Sequence, residues 1–190
     1  QGGPVFFEAD GIEPGNAIHP RGVDARKGDT LVDAGVRMNA IECALAAATG
    51  TTTVQVRSRP RVLILTSGDE IVPVDSTPGS HQVRNANATL ARDLSERMGA
   101  EVRGHVHMPD EPHAVQDALE AALHEVDLLV TVGGISVGDR DFIPGQLEAL
   151  GTRTVLDGAN IQPGKPIRAC FSQQGAMVLS LPGNPVSVLA

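Results

Sequence analysis

Val62-Leu63-Ile64-Leu65 is apolar at four consecutive positions and ends in the polar loop Thr66-Ser67-Gly68-Asp69-Glu70. A strand with one face in water alternates apolar and polar side chains, so an unbroken run needs cover on both faces. Leu128-Leu129-Val130-Thr131-Val132 repeats the pattern and runs straight into Gly133-Gly134-Ile135-Ser136-Val137-Gly138-Asp139-Arg140-Asp141. Helical patterns alternate with these runs. Leu90 and Leu94 lie four apart in a helix predicted over 87–98, which Gly99 ends. Val115, Leu119, Ala122 and Leu123 form one stripe over 112–125, with Pro112 suited to the first turn. A strand over 100–106 separates the two helices, and a short helix over 143–150 follows the Gly-rich loop. Residues 167–171 and 177–181 read as a hairpin around Gln173-Gln174-Gly175. The alternation predicts an α/β fold with a mostly parallel sheet, right-handed crossovers and helices on both faces.

Residues 1–59 have a different texture, rich in Gly, Pro and charge. They are expected to form a β-rich partial second domain or linker, with strands near 28–32, 35–38 and 51–57. A helix over 40–49 is capped by Asn39 and stopped by Gly50. The α/β domain is expected over 60–190.

Composition narrows the function. Aromatics are 2% of the chain, with no Trp and no Tyr. The core is therefore aliphatic, and base stacking is excluded as a binding mode. A net charge of −8 and a pI near 5.1 exclude nucleic acid and anionic membranes as partners of the surface as a whole. No apolar run approaches the ~20 residues of a membrane span, and no signal peptide is visible at the start. Cys43 and Cys170 form no C-x-x-C, which predicts reduced and at least partly buried thiols in a cytoplasmic protein, in preference to a disulfide between them.

In parallel sheets, ligands bind beyond the carboxyl ends of the strands, where the Gly-rich and acidic loops lie. Gly133 to Asp141 places three glycines, Ser136 and two acids within nine residues. Its N–H groups suit an anion, at about 1.5–3 kcal/mol per charged hydrogen bond. A strand-to-helix turn alone also uses glycine, but the added Ser and acids favour a site. Asp139 and Asp141 beside a phosphate call for Mg²⁺ between them; Asp139 taken alone fits a helix cap equally well. Thr66 to Glu70 by itself reads as an ordinary turn, and Asn87 as a helix cap or a ligand amide. Pro163-Gly164-Lys165-Pro166 holds a lone ammonium in a stiff turn, and Leu181-Pro182-Gly183-Asn184-Pro185 repeats the device. The six histidines show no metal spacing. His105 and His107 share one strand face and read as surface or packing residues.

In this order and spacing, Thr66 to Glu70, Asn85-Ala86-Asn87, Thr131 to Phe142, Pro163 to Pro166 and Leu181 to Ser187 resemble the molybdopterin molybdenumtransferase family, related to gephyrin. The resemblance covers about residues 60–190, and Arg21-Gly22, Asp24 and Lys27-Gly28-Asp29 resemble the family's preceding domain. It implies that Asp69 and Asp141 are the catalytic acids, with Asp139 and Asp141 as magnesium ligands. It implies that Gly133, Gly134, Ser136 and Gly138 hold the pterin or its phosphates, and that Lys165 and Ser187 lie where molybdate is expected. Thr66, Ser67, Gly68, Glu70, Asn87, Pro163, Gly164, Pro182, Gly183 and Asn184 complete the implied substrate site.

The implied reaction takes adenylylated molybdopterin and molybdate to molybdenum cofactor and AMP. It runs in the cytoplasm, in a homodimeric parent supplied by an adenylyltransferase. Where the family often has Asp-Ser-Asn, this chain has Asn85-Ala86-Asn87, one carboxylate fewer. The family's C-terminal β-barrel would follow Ala190, so the chain is expected to be a fragment that is inactive alone. The competing readings are a molybdopterin adenylyltransferase, which would lack the paired proline turns, a pyrophosphatase of the same fold related to competence-damage proteins, and a non-catalytic scaffold.

Overall fold

A computed structural model describes residues 2–4, 6, 11, 13–135 and 142–189. The chain divides into two units, Gln1–Val56 and Arg57–Ala190. In the first, α1 (Ala40–Ala48) starts where the Asn39 N–H donates to Glu42 Oε2 at 2.8 Å. It ends where the Gly50 N–H donates to the Ala47 carbonyl at 3.0 Å. The strands expected over 28–32, 35–38 and 51–57 do not form, so the β-rich reading of residues 1–59 is corrected. Among the described residues the first strand begins at Arg61. The backbone instead closes turns, Asp29 N–H to the Arg26 carbonyl and Val36 N–H to the Asp33 carbonyl. None of the unit's described residues is buried, so no core face exists for a strand to cover. For the same reason Cys43, expected to be at least partly buried, is exposed, whereas Cys170 of the second unit is buried.

The second unit holds β1 (Arg61–Ser67), β2 (Ile71–Val72), β3 (Val83–Arg84), α2 (Ala86–Arg97), β4 (Glu101–Met108), α3 (Pro112–Glu125), β5 (Leu128–Val132), α4 (Ile143–Ala149), β6 (Arg153–Asp157), β7 (Arg168–Phe171), β8 (Met177–Leu181) and α5 (Pro185–Leu189). Its six-stranded sheet runs β4-β1-β5-β8-β7-β6, and β2 pairs with β3 in a separate ladder. The β4-β1, β1-β5 and β5-β8 pairs are parallel; β8-β7 and β7-β6 are antiparallel. The unbroken apolar runs are explained by cover on both faces. Leu65 and Leu129 pack with Val115, Leu119, Ile143 and Leu147 of α3 and α4. Val62, Ile64, Val130 and Val132 pack with Ala91 of α2 and Val188 of α5.

One expectation needs correction in detail. The cap of α2 is Asn85 rather than Asn87: Asn85 Oδ1 accepts from the Ala88 N–H at 3.1 Å. The edge strand β6 carried no burial pattern that could reveal it, since all five residues are exposed.

At the opposite end of the sheet from the Gly-rich loops, Asp127 is held by the Arg61 backbone N–H at 2.8 Å and the guanidinium at 3.0 and 3.1 Å. These hydrogen bonds bring its carboxyl down to about 2. Both groups face solvent, which keeps the pair's stabilising effect small.

Gly145 in α4 offers a direct check on the helix. An added Cβ would meet no heavy atom within 4 Å, and the backbone is not in the left-handed region. Gly145→Ala is therefore expected to raise stability by about 0.5–1 kcal/mol. A lower urea midpoint for this variant would contradict a helical backbone at that position.

Candidate functional site

β1, β5 and β8 are neighbours in register, with Thr66 beside Val132 and Val132 beside Leu181. The loops that leave their carboxyl ends therefore emerge side by side. They are nearly in contact: the Gly133 N–H donates to the Leu181 carbonyl at 3.0 Å. A Cβ on Gly133 would lie 2.8 Å from the Ser67 carbonyl oxygen. One on Gly134 would lie 2.9 Å from Ser67 Oγ and 3.1 Å from Ile143 Cδ1. Both residues have positive φ, +93° and +65°. Loop-on-loop packing thus requires glycine at both positions, before any ligand is considered.

Beyond the strand ends lies a cavity of about 360 Å³. Of the residues expected from the sequence, Thr66, Ser67, Gly68, Glu70 and Asn87 line it from one side, and Gly133, Gly134, Pro182 and Gly183 from the other. Asn85, Asp110 and Pro166 line it as well, although the sequence did not single them out as binding residues. Asp69 is exposed and is not among the lining residues. Its N–H donates to Asp110 Oδ2 at 3.4 Å, and the Asp110 N–H donates to Asp69 Oδ1 at 3.3 Å. This exchange ties the loop after β1 to the loop after β4.

Other expected residues fall outside the lining. Gly164 is buried and its carbonyl accepts from the Ile167 N–H at 3.0 Å; Pro163 and Lys165 are exposed. Asn184 Oδ1 accepts from the Val186 N–H at 2.9 Å, and its carbonyl accepts from the Ser187 N–H at 2.9 Å. Both bonds shape the start of α5. Ser136, Gly138, Asp139 and Asp141 lie outside the described residues. Among those described, no group of three His, Cys, Asp or Glu side chains could hold a metal ion, so nothing there tests the expected magnesium site.

Among the described residues, two lining side chains carry buried polar atoms without a partner, Ser67 Oγ and Asn87 Oδ1. The orientation of the Asn87 amide follows from its other contact. Its Nδ2 donates to the Gly183 carbonyl at 2.7 Å. A carbonyl oxygen can only accept, so the amide oxygen must point the other way.

A second polar cluster adjoins the site. Thr66 Oγ1 lies 2.8 Å from His105 Nε2, 3.1 Å from His107 Nδ1 and 2.8 Å from Asn85 Nδ2. Asn85 Nδ2 is also 3.3 Å from His105 Nε2. One proton assignment satisfies all four contacts. His105 Nε2 accepts from Thr66 and Asn85, while Thr66 accepts from Asn85 and from the His107 Nδ1–H. Burial disfavours the imidazolium and lowers the His105 pKa, with further lowering from nearby His107 and Arg92. These rings flank a second cavity of about 430 Å³, which shares Ile71 and Asn85 with the first. The alternation His105-x-His107 did signal a shared face. That the face meets Thr66 follows from the pairing of β4 with β1, which no local pattern encodes.

Comparisons with known proteins agree with this geometry. The family described as "Probable molybdopterin binding domain" matches residues 63–190. The chain is 36% identical over 179 residues to the molybdopterin molybdenumtransferase of Synechococcus elongatus, covering 93% of this chain and 44% of that protein. It is 34% identical over 177 residues to the protein of the same name from Haemophilus influenzae, covering 93% and 43%. Among solved structures it resembles the molybdopterin biosynthesis MoeA protein of Pyrococcus horikosii, with a TM-score of 0.73 and 30% identity over 88% of this chain and 41% of that one. The chain spans less than half the length of these relatives.

Proposed function

The chain belongs to the molybdopterin-binding domain family, and from that premise we propose that it is the part of a molybdopterin molybdenumtransferase that holds the pterin substrate. The observation that carries this reading is the cavity at the ends of β1, β5 and β8, where Thr66, Ser67, Gly68, Asn87, Gly133, Gly134, Pro182 and Gly183, from loops far apart in sequence, line one volume of about 360 Å³. In this reading the full-length protein takes adenylylated molybdopterin and molybdate and releases molybdenum cofactor and AMP.

Within that reaction, the residues of the cavity bind and orient the pterin. Asp69 and Asp141 act as the acids near the reacting group, and Lys165 and Ser187 attract molybdate. A magnesium ion held through Asp139 and Asp141 belongs to the reading through the resemblance only, as do a cytoplasmic homodimer and supply by an adenylyltransferase.

The test uses the full-length protein with adenylylated molybdopterin. AMP release should depend on molybdate. Asp141→Asn should slow that release by an amount equivalent to about 2–4 kcal/mol while sparing substrate binding, as expected for a group that acts in the transition state. Consumption of ATP with release of pyrophosphate would instead identify an adenylyltransferase.

A further inference from the structure

We infer that the second cavity, lined by α2, β4 and the segment from Ile71 to Val74, binds a small carboxylate with an apolar body, held at its charged end by Arg92 and His105. The inference goes beyond the molybdopterin reading and does not depend on it.

The charge of this cavity runs against that of the chain. The chain carries a net charge of −8, yet no Asp or Glu is among the described lining residues, whereas Arg92, His105 and His107 are. The ion pair of Arg92 with Glu96 spans 3.7 Å, with both side chains about half exposed. A pair of that kind contributes little, so it competes weakly with an acceptor that reaches the guanidinium at hydrogen-bond distance.

His105 supplies the second donor. Its Nε2 accepts from Thr66 and Asn85, so the ring proton lies on Nδ1. Among the described residues Nδ1 has no hydrogen-bond partner, and it is not one of the atoms sealed from solvent. Burial, then the charges of His107 and Arg92, lower the pKa of this ring, which keeps it neutral near neutral pH. The Nδ1–H of His107 is already spent on Thr66.

One guanidinium and one neutral N–H suit a carboxylate. It is a planar monoanion that a guanidinium holds through two parallel hydrogen bonds. A phosphate dianion calls for a second permanent cation, and no Lys and no further Arg is among the described lining residues. The rest of the wall fixes the other end of the ligand. Ile71, Val72, Pro73, Val74 and Ala88 are apolar, and Val74 is 60% exposed. Covering such surface with a hydrocarbon body is favourable. The volume of about 430 Å³ is in the range of small-molecule sites, ~300–1,000 Å³.

The experiment titrates the 190-residue chain by calorimetry with octanoate, with its neutral amide, with acetate and with inorganic phosphate. Octanoate should bind at least about tenfold more tightly than each of the other three, because a hydrogen bond to a charged group is worth about that factor or more. Arg92→Gln should weaken octanoate at least about tenfold and leave the amide unchanged. Glu96→Gln, which removes the competing carboxylate, should hold or tighten octanoate. Both side chains are about half exposed, and thermal melts report whether each variant folds. The ring signals of His105 in a nitrogen-15 spectrum should move with octanoate and stay with the amide.

Equal affinity for octanoate and its amide would overturn the inference, leaving an apolar groove that does not read charge. Acetate or phosphate matching octanoate would overturn it in favour of a bare ion at Arg92. Octanoate binding that ignores Arg92→Gln, or no octanoate binding at all, would overturn it outright. The molybdopterin reading is separate from all of these outcomes, since it stands or falls with molybdate-dependent AMP release.

Discussion

Gly133→Ala is expected to lower the stability of the α/β unit by about 2–4 kcal/mol, read as a shift in the urea midpoint at unchanged slope. Two costs combine. At φ +93° a non-glycine residue carries ~1–3 kcal/mol of backbone strain. The new methyl would also sit 2.8 Å from the Ser67 carbonyl oxygen, and overpacking of this kind costs ~1–3 kcal/mol. Neither neighbour can retreat easily. Ser67 ends the buried strand β1, and the Gly133 N–H is fixed to the Leu181 carbonyl at 3.0 Å. The same geometry bears on Gly134→Val. A branched side chain there would strike Ser67 Oγ and the buried Ile143, so the variant should lose stability along with ligand binding. A Gly133→Ala protein within about 0.5 kcal/mol of the wild type, the scatter of ordinary surface changes, would show that the two loops do not touch.

The contrast between these glycines and Gly145 shows which parts of the molecule were legible in the sequence. The helix over Pro112–Glu125 and the strand over Leu128–Val132 emerged at their actual bounds, because a 3.6-residue stripe and an unbroken apolar run each have a distinct period. β6 was invisible because strand character there comes from pairing with β7 and not from burial. The strands expected before Arg57 failed for the converse reason: β-like composition without a partner resolves into turns. At the site, the motifs identified most of the cavity's lining from residues far apart in sequence. They could not separate Asn85 from Asn87, which differ in what they touch across the fold. One caps α2 and bonds Thr66; the other reaches Gly183, 96 positions away. Asp110 was missed because its exchange of hydrogen bonds with Asp69 joins two loops that no local pattern connects.

Asn85 carries the second large expectation, since three elements meet at its side chain. It caps α2 through Oδ1 and donates through Nδ2 to Thr66 of β1, beside His105 of β4. Asn85→Ala removes a cap, ~0.5–2 kcal/mol, and leaves a buried hydroxyl short of a donor, ~1–3 kcal/mol. A loss of about 2–4 kcal/mol is expected. Asn85→Asp is more informative because it puts a carboxylate where the three elements meet. The new carboxylate can still accept from the Ala88 N–H, and a negative charge suits a helix N-terminus. It also places an anion beside an imidazole whose pKa is otherwise lowered by burial and by nearby His107 and Arg92.

In the wild type, the folded His105 pKa lies below its ordinary value near 6.5. The unfolded chain then takes up the proton first, so this residue's contribution is full above that value and declines as the pH falls towards the folded pKa. In the variant the carboxylate favours the imidazolium and raises the folded pKa. The contribution of the pair is then fully present below about 6.5 and lost as the pH rises through the folded value. Subtracting wild-type from variant stability cancels the titration of every group that the substitution leaves alone. The difference should therefore disfavour the variant most at about pH 8 and shrink or reverse at about pH 5.5. Urea midpoints that show the same gap at both pH values would mean that residue 85 and His105 do not share the Thr66 hydroxyl as described.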